Sequence, residues 1–279
     1  MSTLTLNAPA KLNLSMRVLG QRADGFHEID TFMVKLPDLA DRLEFRAATG
    51  FSFHCAEADI PSDERNLVVK AVRAYESAAG LSCNLAITLH KAIPHGAGLG
   101  GGSSDAATTL LGLEQLHAGQ LGITRLHELA ASLGSDVPFF LTPGAARCTG
   151  RGEIITALPA SAALRVLLLK PWFSVPTPDA YGRWSTSHEI PGVMYAAQEV
   201  AGLTMVNDLE RPVFGKHRFL AELKQWLLER RETKAVLLCG SGSTVAAVLH
   251  EDADAEGLAK CARHELDPGL WHWAGTCGS

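Results

Sequence analysis

Hydrophobic and polar residues alternate strictly over residues 12–18 of the chain. This period of two predicts a half-buried strand whose apolar side chains share one face. Lys11 and Asn13 fall on the opposite, polar face, so we expect both to point the same way. Two more extended segments follow near residues 29–36 and 42–46, and the N-terminal part therefore predicts an antiparallel sheet.

Apolar residues at helical spacing predict three helices in the middle of the chain, over residues 66–77, 103–117 and 124–133. A strand is predicted between the first two, over residues 85–89. Residues 103–105 are two serines and an aspartate, types that often cap helices, so we expect them to form the capping region of the second helix.

The pattern changes at residue 164, where a largely apolar run over residues 164–169 predicts a central strand. Beyond it, the spacing predicts helices near residues 194–202 and 217–231 and strands over residues 235–239 and 244–249. The chain therefore builds a second unit after its first sheet.

Length and charge narrow the class of protein. A chain of 279 residues, 47% hydrophobic, can bury a core in two modest domains, which we place at residues 1–155 and 156–279. The formal net charge of −5 predicts no attraction to nucleic acid or to an anionic membrane. The N-terminus lacks a signal-peptide pattern, and no stretch approaches the roughly 18 apolar residues of a membrane span, so a cytoplasmic protein is expected, either a monomer or a homodimer.

Cysteine and histidine spacing argues against a metal centre. The six cysteines form no C-x-x-C pair, and the eleven histidines show no ligand spacing. We therefore predict no transition metal and assign no metal-binding residue.

The densest cluster of glycines lies between a predicted strand and a predicted helix. Glycines allow positive φ, which lets several backbone N–H groups converge, and the start of a helix adds partial positive charge. A strand, a glycine-rich turn and a helix together favour an anion cradle suited to phosphates over a plain flexible loop. Its residues are Pro94, His95, Gly96, Ala97, Gly98, Leu99, Gly100, Gly101, Gly102, Ser103 and Ser104.

Two other phosphate motifs compete with this interpretation. The Walker pattern fails because no lysine opens the helix. Gly96, Gly98 and Gly101 do satisfy the dinucleotide fingerprint G-x-G-x-x-G. That fold, however, requires a second parallel strand directly after the helix, and here another helix is predicted instead.

A phosphoryl transfer enzyme needs charge neutralisation and an aligned acceptor, so a lysine and an aspartate in unusual settings are candidates. Lys11 follows Pro9 on the polar face of its predicted strand, and Asp136 directly precedes an apolar segment. The plain alternatives are a surface lysine on an edge strand and a helix-capping aspartate. Spacing alone does not pair the two residues.

Several segments resemble, in chain order, the superfamily of galactokinase, homoserine kinase, mevalonate kinase and phosphomevalonate kinase (GHMP kinases). These segments are Pro9-Ala10-Lys11, Pro94 to Gly100 and Gly240-Ser241-Gly242-Ser243. Within the superfamily, four longer segments are similar to the diphosphocytidyl-methylerythritol kinase family: residues 9–14, 22–27, 98–107 and 134–138.

The resemblance implies an α+β fold with an N-terminal domain like ribosomal protein S5 domain 2 and a ferredoxin-like C-terminal domain. It also implies ATP-dependent phosphorylation of the 2-hydroxyl of 4-diphosphocytidyl-2-C-methyl-D-erythritol, in the non-mevalonate route to isoprenoid precursors. Lys11 and Asp136 would be catalytic, residues 94–104 and Asn66 would bind ATP, and Mg²⁺ would accompany the nucleotide. Substrate contacts would come from Asn13, Phe26, His27, Thr177 and Tyr181.

The chain departs from the family at Phe26, where a tyrosine is common. A phenylalanine can stack on a base but cannot donate the phenolic hydrogen bond. Two rivals stay open at this point: another GHMP kinase with a different acceptor, and a catalytically inactive nucleotide-binding protein on the same scaffold. A dehydrogenase is a remote third.

Overall fold

The structure is a computed structural model, and it describes residues 3–159 and 163–278. The strands in this described part are β1 Leu4–Gln21, β2 His27–Ala47, β3 Ser52–Cys55, β4 Leu85–His90, β5 Ala146–Gly150, β6 Ile154–Ala157, β7 Leu164–Lys170, β8 Gln198–Val200, β9 Leu203–Asn207, β10 Thr233–Leu238, β11 Val245–Leu249 and β12 Trp271–Cys277. The helices are α1 Leu67–Ala79, α2 Gly101–Leu116, α3 Gly122–Leu133, α4 Val137–Phe140, α5 Thr177–Gly182, α6 Glu210–Lys216, α7 Arg218–Leu228 and α8 Ala255–Glu265. A 3₁₀ turn at Trp184–Thr186 follows α5.

The first sheet has the strand order β3-β4-β2-β1-β9-β8, with β5 and β6 continuing from β2. β1 and β2 are antiparallel, as the sequence predicted, whereas β9 joins β1 in parallel. β8 and β9 follow residue 155 in the chain but lie in this sheet. The division into residues 1–155 and 156–279 stays a prediction.

The two extended segments predicted near residues 29–36 and 42–46 form one long strand, β2. Opposite β1 the register jumps, because Pro9 pairs with Ala40 and Ala10 pairs with Leu36. The skipped residues include Pro37, which has no N–H to donate to a ladder. The sequence break at the proline is therefore a bulge within a strand and not the end of one.

Helices α1 to α4 cover one face of the first sheet. The apolar stripe predicted for α1 is buried there, including Val68, Val72 and Tyr75. α1 and α3 lie within two residues of their predicted bounds. Phe45 on β2 and Leu110 on α2 belong to the same core.

The second sheet is antiparallel and has the order β10-β11-β7-β12. Its chain order of strand, helices, two strands, helix and strand is that of a ferredoxin-like unit. Leu167 and Leu169 of β7 face α6, α7 and α8, whereas Val166 and Leu168 face a core shared with β1 and β2. Since both faces are buried, the strand reads as an apolar run, as predicted.

The helix predicted near residues 194–202 is wrong. The structure instead has a hairpin there, β8 and β9, joined at Ala201 and Gly202 with φ values of 51° and 77°. Two consecutive positive φ values are typical of a tight hairpin turn. The strands gain their hydrogen bonds from each other and from β1, a distant partner that local spacing does not reveal.

In the described part of the chain, none of the helices combines the length and apolar character needed to cross a membrane.

Candidate active site

A cleft of about 760 Å³ opens where the two sheets meet. β1 and the turn before α2 form its floor, and α5 and the turn between β10 and β11 form the facing wall. A volume of this size is typical of small-molecule sites. The predicted site residues that line the cleft are Lys11, Phe26, His27, Asn66, Pro94, His95, Gly96, Ala97, Gly98, Leu99, Gly100, Gly101, Gly102, Ser103, Asp136, Thr177 and Tyr181.

The glycine-rich turn is fixed by backbone contacts on both sides. The Lys11 N–H donates to the Leu99 carbonyl at 2.9 Å, and the Thr244 N–H donates to the Ala97 carbonyl at 3.2 Å. At Gly98, where φ is 77°, a Cβ would lie 2.0 Å from the carbonyl oxygen of Cys239. Only glycine fits this approach, so the turn is clamped between β1 and the second sheet.

The start of α2 differs from the sequence prediction. Residues 103–105 do not cap the helix, because it already begins at Gly101 after Gly100, whose φ is 71°. Among the described side chains none caps its first turn. The N–H groups of that turn therefore face the cleft without side-chain acceptors, which is the arrangement that binds phosphate.

The fold brings Lys11 and Asp136 together, a pairing that their spacing in the sequence did not reveal. The Lys11 Nζ lies 3.3 Å from Asp136 Oδ2, with 4% of the lysine side chain exposed and 33% of the aspartate side chain exposed. β1 lies inside the sheet between β2 and β9, which excludes a surface lysine on an edge strand. Asp136 precedes α4 but makes no capping hydrogen bond to it. Its carboxylate is thus directed into the cleft beside a buried ammonium.

Asn13 lies behind Lys11 and does not line the cleft. Its Oδ1 accepts a hydrogen bond from the Lys11 Nζ at 2.5 Å, and its Nδ2 donates to the Thr31 Oγ1 at 2.8 Å. The amide thereby fixes the direction of the lysine side chain. A substrate contact by Asn13 stays a prediction. Ser104 is likewise fully buried and outside the cleft lining.

Aromatic residues gather at one end of the cleft. The rings of His27 and Tyr181 lie 5.2 Å apart between centroids. Phe26 is 50% exposed, and the Arg151 guanidinium lies 4.7 Å from its ring centroid. Burial raises the pKa of Tyr181, so its hydroxyl stays protonated and can donate. This end suits a planar ring with polar edges.

Thr177 reaches the cleft from the first turn of α5. Its hydroxyl lies 2.9 Å from the Ser241 hydroxyl in the turn between β10 and β11. The Gly240 turn, a weaker candidate from the sequence, also borders Lys11: a Cβ on Gly240 would lie 3.2 Å from its Nζ.

The other end of the cleft has apolar walls and several polar side chains, among them Asn66, Lys91 and Asp105. Asn66 caps α1, since its Oδ1 accepts from the Val68 N–H at 2.8 Å. Lys91 and Asp105 lie deeper, with the Lys91 Nζ 3.0 Å from Asp105 Oδ2. Ile60 and Leu67 contribute to the walls. A planar ring with polar edges fits this end as well.

Sequence reasoning missed Lys91 and Arg151 as cleft residues. Lys91 comes two residues after the predicted strand at residues 85–89, and a lysine there has no distinguishing neighbour. Arg151 stands between Gly150 and Gly152, a turn signal that could have drawn attention to it.

Three comparisons place the chain among known proteins. Residues 66–144 match the family model for the GHMP kinases N terminal domain. A 4-diphosphocytidyl-2-C-methyl-D-erythritol kinase of Methylacidiphilum infernorum is 39% identical over 95% of this chain and 93% of its own length. A kinase of the same name from Deinococcus radiodurans is 38% identical over 95% of this chain and 90% of its own.

Solved structures of related kinases have the same fold as this chain. A crystal structure of 4-(cytidine 5'-diphospho)-2C-methyl-D-erythritol kinase superposes with a TM-score of 0.77 at 34% identity, covering 99% of this chain and 100% of that one. A homoserine kinase from Cytophaga hutchinsonii gives a TM-score of 0.71 at 17% identity over 100% and 96% of the two chains, which shows a shared fold only.

Proposed function

Because the chain belongs to the 4-diphosphocytidyl-2-C-methyl-D-erythritol kinase family of GHMP kinases, we propose that it transfers the γ-phosphoryl group of ATP to the 2-hydroxyl of 4-diphosphocytidyl-2-C-methyl-D-erythritol. The observation that carries the proposal is the Lys11–Asp136 pair, which lies in the same cleft as the glycine-rich turn. Membership of the family makes the chain an ATP-dependent phosphotransferase of the non-mevalonate isoprenoid pathway.

Asp136 orients the acceptor hydroxyl and accepts its proton. A general base must lie within hydrogen-bond reach of the proton that it takes, and the partly exposed carboxylate of Asp136 is open to the cleft. Phosphoryl transfer has a loose transition state, so positioning of the hydroxyl contributes more than full deprotonation.

Lys11 supplies positive charge at the point of transfer. Its ammonium lies 3.3 Å from the Asp136 carboxylate and stabilises the negative charge that spreads over the transferring group. Burial and the hydrogen bond to Asn13 hold the ammonium in place. A fixed charge needs no reorganisation during the reaction, and this is why such groups are effective.

Each end of the cleft binds a different substrate. The glycine-rich turn and the free N–H groups at the start of α2 bind the ATP phosphates, and Asn66 lies beside the nucleotide. Phe26, His27 and Tyr181 bind the cytidine end of the acceptor. This arrangement sets the 2-hydroxyl near Asp136.

We assign no protein ligand to magnesium. Among the described residues no three His, Cys, Asp or Glu side chains converge, and the Asp105 carboxylate in the cleft is already paired with Lys91. Proteins usually bind Mg²⁺ through one or two carboxylates together with substrate phosphates and water, and ATP would supply the phosphate oxygens here. No step of the mechanism depends on a protein ligand to it.

An acceptor panel tests the substrate. The purified protein is incubated with ATP and, separately, the cytidyl substrate, mevalonate and homoserine, and ADP release is measured with ³¹P NMR of the product. We expect turnover with the cytidyl substrate and a new phosphomonoester on its 2-oxygen. ADP release with mevalonate or homoserine but not with the cytidyl substrate would overturn the proposal.

A further inference from the structure

Three charged side chains are buried together at the nucleotide end of the cleft. The Lys91 ammonium contacts one carboxylate oxygen of Asp41 and lies 3.0 Å from Asp105 Oδ2. Asp41 is 0% exposed and Asp105 3% exposed. One cation therefore faces two acids in a place that water scarcely reaches.

The two carboxylates differ in the number of hydrogen-bond donors that stabilise a negative charge on them. Besides Lys91, the Asp41 carboxylate accepts from the backbone N–H groups of Ala92, at 2.6 Å, and Ile93, at 2.8 Å. The second oxygen of Asp105, Oδ1, is buried and has no hydrogen-bond partner among the described residues. Donors stabilise a carboxylate and burial without them destabilises it, so any proton held by the pair resides on Asp105.

The pKa shifts of Asp105 and Lys91 agree with these hydrogen-bond contacts. Burial first, and then the nearby Asp41 charge, raise the pKa of Asp105 to about 7, although Lys91 opposes the shift. Burial lowers the pKa of Lys91, but the Asp105 and Asp41 carboxylates outweigh it and raise the pKa overall. The ammonium thus stays charged, whereas Asp105 gains or loses its proton near pH 7.

Lys91 lies against the phosphate cradle. A Cβ on Gly101, the first residue of α2, would be 3.2 Å from the Lys91 Nζ. The glycine-rich turn carries no lysine of its own. Lys91 is therefore a cation at the junction of the turn and the helix, within the region that the proposed function assigns to ATP.

We propose that Asp105 is a positioning residue that carries a proton when nucleotide binds, so that Asp41 alone offsets Lys91 and the cluster has no net charge. When Asp105 ionises, the cluster becomes net negative and repels the nucleotide phosphates. The inference rests on the proposed function, because it assumes that the anion in this cleft is a nucleoside triphosphate.

Two further titratable side chains in this region, Cys55 and Arg65, keep one charge state over the pH range of interest. Cys55 approaches from β3, and burial raises the pKa of its thiol, which keeps it neutral at these pH values. Arg65 lines the cleft, but its guanidinium is held by Asp63 at 2.9 Å and stays charged. Asp105 is thus the cluster member that changes charge near pH 7.

The test is the pH dependence of nucleotide affinity. The Kd of a non-hydrolysable MgATP analogue is measured by calorimetry from pH 6 to 8.5 for the wild type and for Asp105→Asn, which is neutral at every pH. We expect the wild-type Kd to rise about tenfold across this range, as a coupling of about 1.4 kcal/mol would give, and the variant Kd to stay nearly constant.

A matched control is Asp38→Asn, which makes the same change in net charge at an exposed position on β2. It should follow the wild-type profile. Parallel profiles for wild type and Asp105→Asn would overturn the role of the proton while leaving nucleotide binding intact. Absence of binding at every pH would instead overturn the proposed function.

Unfolding without nucleotide gives a second, independent readout. Between pH 4 and 7 the folded chain holds a proton on Asp105 that the unfolded chain has lost, so the wild type must lose stability relative to Asp105→Asn as pH rises. Above pH 7 both states are ionised and the difference levels off. If the variant does not fold, calorimetry of the wild type in two buffers decides: nucleotide binding at pH 7.5 should take up part of a proton, and zero uptake would contradict the proposal.

Discussion

At the scale of single residues, a buried hydrogen bond joins Lys11 to Asn13. The buried amide holds the ammonium, and the ammonium faces Asp136 across 3.3 Å. The position of the charge, and not merely its presence, is therefore set by a side chain that has no exposure to the cleft.

Replacing Asn13 with alanine should lower kcat by about tenfold or more, because a hydrogen bond to a charged group contributes about 1.5–3 kcal/mol. The KM for the acceptor should change little. Steady-state kinetics separates the alternatives, since a direct substrate contact by Asn13 would raise KM and leave kcat. Asn7→Ala, an exposed position on the same strand, should match the wild type.

The candidate catalytic residues were predictable from the sequence, but their proximity in the fold was not. Lys11 and Asp136 stood out by their neighbours, yet 125 positions separate them in the chain. Lys91 gave no signal, and Asp105 was predicted only as a helix-capping residue, because the importance of both comes from their shared burial with Asp41. Long-range proximity of this kind follows from the packing of β2, β4 and α2.

At the scale of elements, α2 begins at the proposed phosphate site and packs closely on the sheet. The contact is tightest at Gly112, where a Cβ would lie 2.6 Å from the Phe45 ring. Phe45 is 1% exposed and enclosed in the core, so its ring has no room to withdraw. The glycine sets how closely the helix approaches β2.

Gly112→Ala should therefore destabilise the protein by about 1–2 kcal/mol, because overpacking outweighs the gain in helix propensity of about 1 kcal/mol. Chemical denaturation measures this. Gly215→Ala in α6 is the matched control, since no described atom outside the neighbouring residues and the backbone of its own helix lies within 4 Å of its added Cβ. It should be neutral or slightly stabilising, and equal effects at both sites would contradict the packing account.

Elements with a strong local pattern were predictable, such as β1, α1 and β7. The hairpin of β8 and β9 was not, because three- and five-residue strands owe their stability to pairing with β1 and with each other. Phe45 packing against α2 also has no local signature. Turn chemistry and apolar period predict an element, whereas the partners of short strands depend on the whole fold.

At the scale of the whole molecule, the cleft exists because the two sheets share a core. Leu12 of β1 and Leu168 of β7 belong to it. The contact between the two sheets extends to the cleft at the glycine-rich turn, because Gly98 lies against the Cys239 carbonyl. The proposed nucleotide site therefore depends on the second sheet as well as on the glycine-rich turn.

Gly98→Ala should weaken nucleotide binding by about tenfold or more, because the added methyl group displaces either the turn or the end of β10. Calorimetric titration with the MgATP analogue measures the loss. Gly192→Ala has a similar positive φ of 83° but open space around the Cβ, so it should keep wild-type affinity. Wild-type affinity in Gly98→Ala would refute the clamp between the sheets.

The Lys11–Asp136 pair is proposed to carry out phosphoryl transfer, and Asp136→Asn removes the carboxylate that this role requires. The measurement is kcat with the cytidyl substrate, together with the Kd of the MgATP analogue, with Asp252→Asn as an exposed control. We expect kcat to fall on the order of 10²-fold or more while nucleotide affinity stays unchanged. Wild-type kcat in Asp136→Asn would overturn the proposed role of the pair.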